Sequence, residues 1–369
     1  MQTLTHPSAA LPALFVTCGD PAGIGPEVVL QSWVMTPAHR SARLRVVAPA
    51  GLLRGVLATI PGLPRVSVEA VTAADQRPSD PGTVLAIDPG GDSSAVTQET
   101  IVTPGTISAA GGRAAMTALE TAWGLVRGAQ AGAAALVTGP LNKAAIHAAG
   151  YGVPGHTEWL ARACGLPDHD ASMMLWLPAE DPQDRHDGGR GLGVVHVTLH
   201  QSLATAVAKV SVAGIVAAGR RLDPLLAALL GRRPRIAVAA LNPHGGEGGL
   251  FGDEEWNVIS PAVAELVAAG IDASGPFPAD TLFLRAARGA FDGVVAMYHD
   301  QGHIPVKLLG MHRAVNITLG LPLVRTSVAH GTAFDIVGCG RADPASMLAA
   351  IDAAVRLLGA GWRGDRCAS

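Results

Sequence analysis

The chain is predicted to fold as an α/β protein of parallel βαβ units in two domains, and three features carry that reading. Short apolar, β-rich runs alternate with alanine-rich stretches of helical length, as buried strands alternate with crossover helices on both sheet faces. The 369 residues exceed what one ordinary core accommodates. Hydrophobic residues make up 49% and charged ones 15%, which supplies core material and excludes a disordered chain.

Taken in order, a first strand runs through Leu14, Phe15 and Val16, and further strands are expected at Leu44 to Ala48, Ala134 to Thr138, Gly193 to Thr198, Ile236 to Leu241 and Gly293 to Met297. Each is a short apolar run ending in Gly, Pro or polar residues. Helices are expected at Ala110 to Gly128, Ser202 to Arg221, Ser260 to Ala269 and Ala345 to Leu358. The interleaved acids, glycines and prolines of Glu180 to Gly191 predict a solvated loop.

Charge narrows the function classes. A net charge of -3 and a pI near 6.5 leave no basic footprint for nucleic acid and no polybasic membrane patch. The mean hydropathy of +0.31 comes from alanine and valine, since Gly, Pro or charge breaks every apolar run before bilayer length. Met1 to Leu11 shows no targeting pattern. Cys18, Cys164, Cys339 and Cys367 are far apart, without C-x-x-C spacing, so reduced thiols in a cytoplasmic protein are expected.

Chemistry concentrates in loops after strands. The run Met297 to Lys307 (MYHDQGHIPVK) follows Gly293 to Ala296 and packs two imidazoles, a carboxylate and a lysine into one segment, where α/β enzymes place reacting groups. Gly19 to Glu27 (GDPAGIGPE) offers glycines either for an anion at a helix start or for a tight strand-to-helix turn. Lys143 opens a helix after Thr138-Gly139-Pro140, as an anion contact or a solvated lysine. His156, His200, His244 and His299 each follow a strand. Convergence of three would make an open divalent site, while each alone could equally cap a turn. Lys307, Asn316 and Arg325 lie among apolar residues, so a substrate phosphate or carboxylate, or an internal acid, is expected as partner.

The ordered strings GDPAGIGPE (19–27), TGPLNKAAIHAAG (138–150), GHTE (155–158), LNPHGGEGGLFGDEE (241–255), GPFPADTLF (275–283), MYHDQGHIPVK (297–307) and VNITLGLPLVRTSVAHGTAFD (315–335) span nearly the whole chain. Together they resemble the 4-hydroxythreonine-4-phosphate dehydrogenase family. The resemblance implies a homodimer of two-domain α/β/α subunits similar to isocitrate and isopropylmalate dehydrogenases, with the active site in the cleft between domains. The matching division is residues 1–135 with 305–369, and residues 136–304. It further implies a divalent metal held by His200, His244 and His299, one of them supplied by the partner subunit, with zinc expected and magnesium or cobalt as alternatives.

By the same resemblance His156, Thr157, Lys307, Asn316 and Arg325 hold a phosphorylated hydroxy-acid substrate, and Thr326, His330, Gly331 and Thr332 border NAD. Asp280 and Asp300 are the carboxylates for orientation or proton transfer, Asp300 equally as a partner fixing a ligand histidine. In such an enzyme the cation acidifies the substrate hydroxyl while hydride leaves the same carbon for NAD, and a ketone β to a carboxylate then favours loss of CO2.

The chain departs from the family's common pattern at Thr198 to Leu203 (TLHQSL for TTHxPL), Ala329 to Ala333 (AHGTA for DHGTA) and His303 to Pro305 (HIP for LPV). Besides oxidation of 4-phosphohydroxy-L-threonine in pyridoxal phosphate biosynthesis, the resemblance therefore takes in D-threonate or D-erythronate 4-phosphate dehydrogenases and terephthalate cis-dihydrodiol dehydrogenases. Retention of His156, Asn316 and Arg325 favours a phosphorylated substrate. A sensor of anionic metabolites is the non-enzymatic alternative, and the full histidine set argues against it.

Overall fold

The computed structural model describes residues 11–90, 102–129, 133–167, 171–179 and 191–364. In chain order the first part runs β1 (Ala13–Thr17), α1 (Gly25–Met35), β2 (Arg43–Val47), α2 (Ala50–Thr59), β3 (Ser67–Ala70), β4 (Thr83–Ile87), α3 (Ala109–Gly128), β5 (Ala134–Thr138), α4 (Lys143–Ala148) and α5 (His156–Ala163). Next come β6 (Ser172–Pro178), β7 (Gly191–His196), α6 (Leu203–Ala208), α7 (Val212–Leu230), β8 (Ile236–Ala239), α8 (Ser260–Ala268), β9 (Ala273–Phe277) and α9 (Ala279–Ala287). The last are β10 (Gly293–Ala296), α10 (His299–Gly310), β11 (Val315–Leu319), β12 (Val324–Val328) and α11 (Ala345–Gly359). The loop expected at Glu180 to Gly191 falls outside the described residues except for Gly191, which opens β7. The N-terminal segment through residue 10 and Cys367 also fall outside them, and no helix among the described residues is long and apolar enough to cross a membrane.

Capping explains the helix limits. Ser108 Oγ accepts from Gly111 N at 3.0 Å and starts α3 one residue before the predicted position. The single helix expected over Ser202 to Arg221 is two helices. Ser211 Oγ accepts from Gly214 N, so a second N-cap interrupts the apolar pattern, and α7 then continues to Leu230 before Gly231 turns left-handed at φ 68°.

Among the described residues all strands join one 12-stranded sheet in the order β3-β4-β2-β1-β5-β12-β11-β6-β7-β10-β8-β9. Two parallel blocks, β3 to β12 and β7 to β9, point in opposite directions because β11 is antiparallel to β12 and to β6, and β6 to β7. The all-parallel expectation is thereby corrected at the middle of the sheet. One buried apolar core runs under both blocks, formed with α1, α2, α7, α8 and α11. On the other face there are two separate cores, one under α3, α4 and α5, the other under α9 and α10. Between them β11 and β12 present polar side chains, since the pairing Asn316 to Ser327 puts Asn316, Thr318, Arg325 and Ser327 on a face that neither apolar layer covers.

A buried carboxylate ties the amino ends of β8 and β10. Asp292 accepts from Arg232 Nη1 and Nη2 at 2.9 and 2.7 Å and from Arg235 N at 2.8 Å. Burial alone would raise its pKa, but the Arg232 and Arg235 donors prevail and bring it down to about 2. The folded value lies below the unfolded one, so the stabilisation is complete above the ordinary carboxylate range and is lost as pH falls toward 2. Asp292→Asn is expected to cost roughly 2 kcal/mol at neutral pH. Thermal melts should show the gap to wild type narrowing in acid, and identical neutral-pH melting points would refute the assignment.

Candidate active site

The polar strip between the two upper cores begins with Arg325. Its side chain is buried at 2% exposure, yet its hydrogen-bond partners are hydroxyls: Nη1 donates to Thr318 Oγ1 at 2.9 Å and Nη2 to Thr138 Oγ1 at 2.7 Å. Nε and the nearby Asn316 Oδ1 are buried without partners among the described residues. No carboxylate reaches ion-pair distance of the guanidinium among the described residues. Burial lowers the Arg325 pKa to about 10, with the Glu158 carboxylate acting in the opposite sense. His156 and Thr157 open α5 above it, and burial with the Arg325 charge holds His156 well below the usual histidine range. Desolvated donors with no acid in ion-pair contact among the described residues form a cradle for an anion. Lys307, expected to be partly buried, is exposed on α10.

The histidines gather beside this cradle. His200 and His299 have ring centroids 5.8 Å apart. Burial lowers the His200 pKa, the Lys143 ammonium adds to this and Glu158 opposes it, so the ring is a neutral donor near pH 7. Asp300 Oδ1 lies 2.6 Å from His299 Nδ1, which fixes the tautomer and leaves Nε2 free. These two rings fit a divalent cation by their chemistry. His244 lies elsewhere, on the glycine-rich turn after β8, with φ 53°, and its ring faces Phe251 at 6.3 Å. Glu255 pins that turn by accepting from Leu241 N and Asn242 N, both at 2.8 Å. No set of three ligating side chains closes around one point among the described residues. Asp280 is exposed in the first turn of α9, which packs against the His244 turn.

The run after β10 is explained residue by residue. Gln301 clamps the start of α10 by accepting from Met297 N and donating to Ala240 O, each at 2.7 Å. Gly302 leaves room for His196, because a Cβ there would sit 2.4 Å from the His196 Nε2. Two imidazoles missed as site residues, His196 and His303, join His299 in this cluster. Lys143, expected as an anion contact or a solvated lysine, acts on His200 together with Glu158, which was visible only inside the GHTE string.

The expected cofactor border divides. Thr326 Oγ1 donates to Ala350 O in α11 at 2.8 Å, turned away from the strip. His330 Nδ1 faces the Gly331 carbonyl at 2.9 Å, so Nε2 is an acceptor, and it is buried without a partner. That orphaned acceptor fits a hydroxyl or amide of a dinucleotide. The GDPAGIGPE loop abuts this segment, with Ile24 N donating to Thr332 O at 3.0 Å. Its glycines serve close packing: a Cβ on Gly25 would meet Cys18 O at 1.8 Å, and Gly19 has φ 70°. Surface hollows of about 520 and 540 Å³ lie instead at the amino ends of β5, β12, β1 and β2, away from these groups.

The sequence and the fold both have known relatives. The sequence profile of the family described as pyridoxal phosphate biosynthetic protein PdxA matches residues 41–354. A 4-hydroxythreonine-4-phosphate dehydrogenase from Beijerinckia indica is 43% identical over 97% of this chain and 96% of its own. A D-threonate 4-phosphate dehydrogenase from Cupriavidus necator is also 43% identical, over 92% and 96%. The crystal structure of a 4-hydroxythreonine-4-phosphate dehydrogenase from Klebsiella pneumoniae superposes with a TM-score of 0.76 at 39% identity, covering 94% of this chain and 99% of that one. The fold and these relatives define an α/β oxidoreductase acting on a CH–OH group. The chain belongs to the PdxA family.

Proposed function

We propose that the chain oxidises a small phosphorylated hydroxy acid with NAD and a divalent metal, zinc or else magnesium or cobalt, and that decarboxylation accompanies the oxidation. The reaction proposed is conversion of 4-phosphohydroxy-L-threonine to 3-amino-2-oxopropyl phosphate, as in pyridoxal phosphate biosynthesis. A second reading, dehydrogenation of D-threonate or D-erythronate 4-phosphate, is favoured by the equally similar Cupriavidus necator relative. The observation that carries both is a buried arginine whose hydrogen-bond partners among the described residues are hydroxyls, set beside the imidazoles of His200 and His299.

In this reading Arg325, Asn316, His156 and Thr157 hold the phosphate in the strip between the upper cores, and Lys307 adds charge from its rim. His200 and His299, with His244 from the partner subunit of a homodimer, would hold the cation. When bound, the cation supplies polarisation of the substrate's oxygen, which eases loss of the hydroxyl proton and of hydride. Asp300 keeps His299 in one tautomer, and Asp280 is the other carboxylate offered for proton transfer. His330 Nε2 and the Gly331–Thr332 backbone border the NAD, with Thr326 behind them. The division into residues 1–135 with 305–369 and residues 136–304 as two domains, and a cytoplasmic location, belong to the same proposal.

The test is NADH absorbance with 4-phosphohydroxy-L-threonine, D-threonate 4-phosphate, D-erythronate 4-phosphate and a terephthalate cis-dihydrodiol side by side. Turnover of a phosphorylated acid is expected. Preference for the dihydrodiol would overturn the phosphate reading, and binding without NAD reduction of any substrate would favour the sensor.

A further inference from the structure

His299 and His303 are one turn apart on α10 with their rings stacked, centroids 3.7 Å apart and planes 11° off parallel. His303 Nδ1 lies 3.2 Å from the main-chain oxygen of His299 and 3.1 Å from His196 Nε2. A carbonyl only accepts, so the Nδ1 carries the proton, and His196 Nε2 shares that N–H as a second acceptor. His196 must then carry its own proton on Nδ1, which is buried without a partner. Leaving such a donor unpaired costs on the order of 1–3 kcal/mol, so the pair is not explained by stability. Neither His196 nor His303 has a place in the proposed contacts to metal, phosphate or cofactor, and both are buried at 5% and 7% exposure.

We propose that His303, backed by His196, is a positioning residue that fixes the plane of the His299 imidazole so that its free Nε2 is presented to the divalent cation. The inference rests on His299 being a metal ligand. The ring of His299 is then restrained on two sides: Asp300 holds Nδ1 at 2.6 Å, and the flat face of His303 blocks rotation about the Cβ–Cγ bond. His303 is itself locked by its bond to the His299 carbonyl and by His196, which Gly302 admits to the helix surface.

The experiment is zinc binding by calorimetry on the intact protein, together with the visible absorption of the cobalt-loaded form, in wild type, His303→Leu, His303→Phe and His299→Ala. His303→Leu removes the ring at similar apolar bulk, and His303→Phe keeps a flat ring without the N–H. His303→Leu is expected to weaken zinc about 10–100-fold and to alter the cobalt band, with His303→Phe in between. Wild-type zinc affinity and an unchanged cobalt spectrum in both His303 variants, while His299→Ala abolishes binding, would overturn the positioning role. Unchanged zinc binding in His299→Ala would instead bring down the metal assignment, and this inference with it.

Discussion

Arg325→Ala is expected to raise KM for a phosphorylated substrate by about 10²–10³-fold while changing KM for its unphosphorylated analogue less than about threefold. The expectation follows from the guanidinium's surroundings. It is desolvated, bonded to two hydroxyls and left with a free Nε, so a phosphate dianion is the partner that satisfies it. Losing one member of a buried charged contact typically costs several kcal/mol, enough for this range. The free protein should not suffer in proportion, because without ligand the buried charge is offset only at a distance by Glu158, with no carboxylate in ion-pair contact among the described residues. Inorganic phosphate should therefore raise the melting temperature of wild type and not of the variant. Equal losses on the two substrates, or equal stabilisation by phosphate, would mean that Arg325 serves the sheet and not the substrate.

His299→Ala, and separately a chelator, should each reduce NAD reduction by at least about 10³-fold without unfolding the protein. His299 is 36% exposed and anchors no core, so its removal should shift the melting temperature by no more than about 3 °C. Readdition of zinc should restore the chelated wild type and leave His299→Ala inactive. Activity that survives either treatment removes the metal from the reaction.

Most of the frame was legible because it is encoded locally. Strands at Ala134 to Thr138 and Gly293 to Ala296 and helices at Ala109 to Gly128 and Ala345 to Gly359 lie within a residue of their predicted limits, since apolar runs, and the Ser108 cap of α3, act over a few positions. The reversal of the sheet at β6 and β11 was not legible. β11 pairs with β12 and β6 with β7 across single connections, but the pairing of β11 with β6 that joins the two hairpins links strands more than a hundred residues apart, which no local pattern encodes. The site divides the same way. Arg325 stood out as a charge among apolar residues, whereas His196 is 107 residues from its partner and reads in sequence as one more polar residue closing a strand. Lys307 misled because its apolar neighbours Ile304 and Leu308 are themselves exposed.

The unbroken apolar layer beneath the sheet, set against the divided layer above it, also determines how the molecule can deform. Pulling the two halves apart below would expose aliphatic surface at about 25 cal/mol per Å², whereas the strip above separates the smaller cores with hydroxyls, an amide and a guanidinium that water can solvate. The softest distortion is thus a flexing about β11 and β12, with the lower layer as hinge. Such a bend brings α5 and α10 toward or away from one another and so changes the width of the gap over Arg325.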